Sequence, residues 1–318
     1  MNNDLISVIV HAYNSADTII DTLESIKRQS YSRIELIVSD DASTDNTVEI
    51  TKRWLVQNNY FFEKSTVVKH KSNMGITKHL TESVKLAHGK WIKTIAGDDM
   101  LCDDCIDLDI CFVKNHPNCE FLVTNMYLFD DHGKWDMPPG ERAYCNYLGR
   151  KNPEVQYKML LKRDVHLSPS EFFSADIFRK YGEPRNPSRN IEDWPFRLHV
   201  AGSGCKIYYL DKNTVCYRMG VSSVSRIKDH FFNPNHLENR RQIEKELVYP
   251  HIKKTDIVFW WNEIIKHFRF KTIIWLGNKP DRRTSLINRG LLIIQPYTYQ
   301  RLFWSVIGKI YYRSGKCK

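Results

Sequence analysis

The sequence predicts an α/β fold: a mostly parallel sheet flanked by helices, extended at the C-terminal end by a basic, aromatic-rich helical region. Three observations predict it. Short β-rich runs alternate with amphipathic helical stretches from Leu5 onward, the pattern of a parallel sheet with crossover helices. The acid pairs and the first aromatic loop fall directly after those runs. The basic excess lies entirely in the last part of the chain.

The strand runs are ISVIV at 6–10, IELIV at 34–38, STVVKH at 65–70 and WIKTI at 91–95. Between the first two, Ile19, Leu23 and Ile26 fall on one helical face, with Ser15 and Asp17 as cap candidates. STDNTVEITKRWL, from Ser43, begins with further cap candidates and continues as a helix. A third helix follows the turn at Asn73 to Gly75, which completes βαβαβαβ, one half of a doubly wound sheet. Later, Phe121 to Asn125 reads as a strand, and residues 131–154, rich in Gly, Pro and charge, read as a long loop. Lys206 to Leu210 and Thr214 to Arg218 read as two strand segments, and a boundary is expected near residue 230.

Composition excludes several classes. No run approaches the roughly 18 apolar residues of a membrane-spanning helix, and the apolar run near the N-terminus is short and broken by His11, unlike a secretory signal. A cytosolic location is expected. Eight cysteines in 318 residues are too sparse for a disulfide scaffold and are read as reduced thiols. Cys102 and Cys105 have the C-x2-C spacing of a zinc site but lack a partner pair. Residues 103–113 read instead as a helix with Ile106, Ile110 and Val113 on one face.

Of the net charge of +10, residues 251–318 carry 14 Lys/Arg against 3 Asp/Glu, while the first 250 residues carry 33 against 34. The tail interleaves these cations with Trp, Phe and Tyr, which suits an anionic membrane surface. A helical appendage whose aromatics pack on the main domain would show the same composition. Nucleic-acid binding would too, although no motif for it is present and none is expected as a partner.

In parallel sheets ligands bind at the carboxyl ends of the strands. His11-Ala12-Tyr13-Asn14, Asp40-Asp41 and Asp98-Asp99 follow the first, second and fourth runs, so they are expected to converge on one cleft. An aromatic face and two acid pairs suit a nucleotide base, a ribose and a metal-bound diphosphate. No GxGxxG follows the first strand and no GxxxxGK[ST] occurs anywhere, which removes support for dinucleotide-dehydrogenase and P-loop readings.

SVIVHAYN, IELIVSDDASTDNT, SNMG, AHGKWIKTIAGDDM, IEDW at 191–194 and YRMGVSSVS at 217–225 together resemble the family 2 inverting glycosyltransferases of GT-A fold. The resemblance covers roughly residues 5–226 and comes nearest to bacterial enzymes that add one sugar to an O-antigen or capsule unit on a polyprenyl diphosphate carrier. It implies a nucleotide-diphospho-sugar donor, in the first instance a UDP-hexose, and a lipid-linked oligosaccharide acceptor. It also implies a working place on the cytoplasmic face of the inner membrane. By motif, Tyr13, in the loop opened by Ala12, and Asp41, with Asp40 beside it, would hold the base. Asp99 would coordinate Mn²⁺ or Mg²⁺, with Asp98 on the ribose or in the metal shell. Asp193, in the Glu192-Asp193 pair, would be the catalytic base at the start of a helix that tolerates Pro195. His11 stands where the family usually has Pro or Thr, and Ala96 where many members carry another Asp. The QxxRW signature of processive synthases is missing, which implies single-sugar transfer. The expected organisation is a GT-A domain at 1–230, with a donor half to about residue 100, and a basic helical region at 231–318.

Overall fold

The computed structural model describes residues 4–165, 167–220 and 227–313. In chain order the elements are β1 (Ile6–Ala12), α1 (Ile19–Lys27), β2 (Ile34–Asp40), α2 (Thr47–Asn58), β3 (Lys64–Lys69), α3 (Ile76–Val84), β4 (Trp91–Ala96) and β5 (Met100–Leu101). There follow α4 (Cys105–Asn115), β6 (Phe121–Asp130), β7 (Gly133–Asp136), α5 (Pro139–Gly149), α6 (Pro153–Lys162), β8 (Phe172–Ser174), α7 (Ile177–Tyr181), α8 (Asp193–Gly202) and β9 (Ile207–Arg218). The C-terminal region is helical: α9 (Pro234–Ile243), α10 (Ile257–Trp275), α11 (Arg282–Ile293) and α12 (Pro296–Arg313).

The strands form one sheet in the order β3-β2-β1-β4-β8-β6-β9-β5, with β7 paired to β6. β3, β2, β1 and β4 are mutually parallel, as the sequence predicts. β2 is buried along its whole length, which is what a central strand covered on both faces requires. β8 runs antiparallel to both of its neighbours, while β6 and β9 are parallel. A buried ion pair, Lys93 Nζ to Asp109 Oδ2 at 3.1 Å, fastens β4 to α4. Both groups are fully enclosed, so removal of either partner would strand a charge in the core.

Four expectations change. Residues 131–154 are not a loop. Gly133, at φ 145°, turns the chain into the β6–β7 hairpin, and Pro138-Pro139 opens α5, whose buried face is Ala143, Tyr144, Cys145 and Leu148. The Gly and Pro residues that suggest a loop stand at the ends of these elements, where their φ preferences are useful. The two strand segments near residue 210 are one strand, β9, kept in register with β6 through an irregularity at Thr124 to Met126. The strand begun at Phe121 continues to Asp130. Finally, α1 starts after Thr18 without a side-chain cap; Ser15 contributes its carbonyl, which accepts from the Thr18 and Ile19 N–H groups at 3.0 and 2.8 Å.

The thiols of Cys102 and Cys105 are free. Ile106, Ile110 and Val113 form the buried stripe of α4.

Candidate active site

The loops after β1, β2 and β4 are laced into one surface. The Asn14 N–H donates to Ser43 Oγ at 2.8 Å, Ser15 N–H to Thr47 Oγ1 at 2.8 Å and Ala16 N–H to Asp45 Oδ2 at 3.0 Å. Gly97 N–H donates to the His11 carbonyl at 2.9 Å, and Thr18 Oγ1 donates to the Gly97 carbonyl at 2.8 Å. Asn14 and Ala42 hold positive φ, 50° and 63°. For alanine this is a sparsely populated conformation that the surrounding bonds must maintain. The ring of Tyr13 is left 50% exposed on this surface, while Ala12 is buried beneath it.

The acids divide into two kinds. Asp40 is buried and turned inward, accepting from the Ser43 N–H at 2.9 Å and from the Ser43 hydroxyl. Asp41 is also buried and accepts from the Met74 and Gly75 N–H groups at 2.8 and 3.0 Å. These two carboxylates therefore shape the loops. Asp99 differs: Oδ1 accepts from the Arg218 N–H at 2.8 Å, whereas Oδ2 is buried without a hydrogen-bond partner. Such an atom is expensive to leave unpaired. Asp98 beside it is exposed. Burial and the neighbouring Asp98 charge push the Asp99 carboxyl well above the ordinary carboxylate range, and desolvation raises Asp98 as well. A cation between them would reverse that balance, so the donor set fits a divalent metal.

Glu192 and Asp193 stand at the start of α8. Phe196 anchors this helix edge-on against Phe121 and Phe173, with centroids 5.2 and 5.3 Å away, and the Trp194 indole N–H donates to the Leu160 carbonyl at 2.9 Å. Asp193 Oδ2 accepts from Arg197 Nη2 at 2.6 Å. Arg197 is fully buried and also donates to Glu171 Oε1 at 2.7 Å and Asp164 Oδ1 at 3.3 Å. Enclosure, with Asp193 and Glu192 nearby, pushes the Glu171 carboxyl up to about 8 despite Arg197.

The two halves meet through the turn at 73–75. Gly75, held by Asp41, has φ 80°, and a Cβ there would lie 2.3 Å from Arg189 Cγ. Arg189 Nη2 donates to the Asn73 carbonyl at 2.8 Å, three residues before Glu192. The segment leading into Glu192 is thus tied to the turn that Asp41 holds.

Sequence reasoning missed Arg197, Glu171 and Arg189. It also passed over Arg218, although that residue lies inside the YRMG stretch. Arg218 clamps the acid pair: besides its bond to Asp99, its Nε donates to the Asp98 carbonyl at 2.8 Å and Nη2 pairs with Asp21 at 2.9 Å. Residues 221–226 of that stretch lie outside the described residues. His11 packs edge-on against His79 at 5.1 Å, and burial followed by the His79 charge lowers it to about 3, so it is neutral.

The chain is similar to known glycosyltransferases. Over 243 residues the chain is 30% identical to UDP-Glc:alpha-D-GlcNAc-diphosphoundecaprenol beta-1,3-glucosyltransferase WfaP of Escherichia coli, covering 70% of this chain and 90% of that protein. It is 28% identical over 129 residues to glycosyltransferase GlyG of Streptococcus pneumoniae, a match spanning 41% of each chain. Among solved structures, S. aureus TarS 1-349 with UDP-GlcNAc superposes with a TM-score of 0.61 at 18% identity, over 98% of this chain and 92% of that one. The mannosyltransferase PcManGT from Pyrobaculum calidifontis, with GDP-Man and Mn²⁺, gives a TM-score of 0.51 at 15% identity, over 99% and 76%. These folds share the GT-A architecture. The model of glycosyl transferase family 2 matches residues 7–166, the stretch that supplies β1 to β4 and both acid pairs, and the chain belongs to that family.

Proposed function

We propose that the protein is a metal-dependent inverting glycosyltransferase that moves one hexose from a nucleotide-diphospho-sugar to a hydroxyl of a polyprenyl-diphosphate-linked oligosaccharide in O-antigen or capsule assembly. The observation that carries this reading is Asp99: a buried carboxylate with one oxygen fixed by Arg218 and the other without a partner, beside exposed Asp98 at the carboxyl end of β4. The name of WfaP supports UDP as the donor's nucleotide and a diphosphoundecaprenol acceptor, and such an acceptor would be met on the cytoplasmic face of the inner membrane. The donor half is residues 1–100, the acceptor half runs to residue 230, and residues 231–318 form the accessory region.

Asp99 and Asp98 would hold Mn²⁺ or Mg²⁺, whose charge, when bound, neutralises the departing nucleoside diphosphate. Tyr13 offers its exposed ring to the base at the rim of the loop opened by Ala12, and Asp40 and Asp41 keep the loops around it in place. Asp193 is the general base. It takes the proton of the acceptor hydroxyl as that oxygen bonds to the anomeric carbon and the bond to the diphosphate oxygen breaks on the opposite face. One displacement inverts the centre, so an α-linked donor gives a β-linked product. Glu192 stands beside the base as the N-cap of α8.

Transfer to a diphosphoundecaprenol-linked sugar acceptor, followed by product linkage analysis, tests the reading. Loss of transfer in both Asp99→Asn and Asp193→Asn is expected; full activity in either would remove its assigned role.

A further inference from the structure

Helices α10 to α12 carry 14 of the 23 exposed large hydrophobic side chains among the described residues. In α10, Ile257, Trp261, Ile264, Phe268 and Trp275 recur at helical spacing and so lie on one side. All are more than half exposed, Trp275 at 83%, while Phe259, Asn262, Glu263 and Ile273 of the same helix are buried. An apolar groove of about 440 Å³ lies beside this stripe, lined by Lys254, Ile257, Trp260, Trp261, Ile264 and Ile265. In α12 the same spacing exposes Tyr299, Phe303, Val306 and Ile310. The aromatics of the tail therefore split: Phe259 and Trp304 pack inward, and the stripes face out.

The charge around these stripes is mainly positive. Asp256 caps α10 and pairs with Lys162, Glu263 pairs with Lys266, and Asp281 caps α11. Lys271, Lys279, Arg282, Arg283, Arg289 and Lys309 stand exposed. A second copy would bring two surfaces of the same sign together, and the first 250 residues, nearly neutral in sum, supply little net charge to oppose them. A nucleic acid would leave the apolar stripes unused. An anionic bilayer uses both, since Lys and Arg meet lipid phosphates and Trp sits at the headgroup boundary. No helix of the described residues is long and apolar enough to cross a membrane.

We propose that the outward face of α10–α12 docks the protein on an anionic lipid bilayer. α12 packs directly on the sheet domain. Gly308 of α12 packs so close to α5 that a Cβ would meet the Pro139 carbonyl oxygen at 2.2 Å, the Tyr312 hydroxyl donates to Asp211 at 2.7 Å, and the Arg142 guanidinium lies 4.4 Å from the Tyr312 ring centroid. Docking would thus fix how the catalytic cleft meets a lipid-linked acceptor. That consequence rests on the transferase reading, but membrane binding itself does not.

The test is cosedimentation of the full chain with phosphatidylglycerol/phosphatidylcholine vesicles and with pure phosphatidylcholine vesicles, at low and high salt. Two variants accompany it: Trp261→Ser with Trp275→Ser, and Arg282→Glu with Arg283→Glu, each checked for an unchanged melting temperature. Acids in the first turn of α11 suit the helix dipole, so the second variant is expected to fold. Binding to the anionic vesicles that weakens in salt, and falls about tenfold or more in both variants, is expected. Wild-type protein that stays in the supernatant, or variants that bind like wild type, would overturn the proposal. So would self-association or oligonucleotide binding through this face without vesicle binding. Donor binding in solution is unaffected by any of these outcomes, so the two readings fail separately.

Discussion

Around Arg197, three acids approach one buried guanidinium: Asp193, Asp164 and Glu171. Arg240 adds a second cation, 3.5 Å from Asp164 and stacked 4.6 Å from the Trp194 ring centroid. Arg240 also pairs with Glu244 at 3.3 Å, so the two cations are shared among four acids. Glu171 has its carboxyl raised from 4.5 to about 8, so the folded protein binds a proton there that the unfolded chain releases. Its favourable contribution is full below about 4.5 and is lost as the pH rises through 8. Glu171→Gln removes that loss, so its denaturation midpoint relative to wild type should climb between these pH values; a difference independent of pH would refute a protonated Glu171. Asp193→Asn preserves shape but not basicity, and kcat should fall about 10²- to 10⁴-fold with donor affinity unchanged. Calorimetry of donor binding beside steady-state kinetics separates the two effects. Asp98, Asp99 and Glu192-Asp193 were legible as motif positions. Arg197 was not, because one arginine on a helix face reads as solvated until burial is known.

At the level of elements, the four parallel strands and their helices could be read from the apolar pattern, since β1 and β2 carry apolar runs and β4 sets Trp91, Ile92 and Ile95 around Lys93 and Thr94. α5 was hidden because its Pro and Gly residues mark its edges, and a single sequence does not reveal which side of such a residue the helix lies on. The join between α12 and α5 was equally hidden, because it depends on Gly308 having no side chain to hold the two backbones apart. Gly308→Val should separate them and lower stability by about 1–3 kcal/mol, read as a fall in the thermal midpoint together with loss of Trp304 burial by fluorescence. Gly75→Ala meets Arg189 and requires an unfavourable φ, so a loss of about 1–3 kcal/mol is expected. Because Arg189 leads into Glu192, that variant should also lower transfer more than donor binding.

For the whole molecule, the carboxyl ends of β1, β2 and β4 gather Tyr13, Asp40, Asp41, Asp98 and Asp99 at one end of the sheet, and Arg189, three residues before Glu192, meets the 73–75 turn that Asp41 holds. The tail's charge could be counted from the sequence, but its division into packed and outward aromatics required the packing of α10–α12 to be known. The most direct test of the catalytic reading is a binding and hydrolysis measurement with a panel of UDP-, GDP- and dTDP-sugars, in Mn²⁺ and in EDTA, on wild type, Asp99→Asn and Asp193→Asn. The expected result is one donor bound by wild type and by Asp193→Asn only when Mn²⁺ is present, with Asp99→Asn binding weakly and slow hydrolysis confined to wild type. Equal binding in EDTA, or no donor bound at all, would contradict the metal role of Asp99 and with it the proposed reaction.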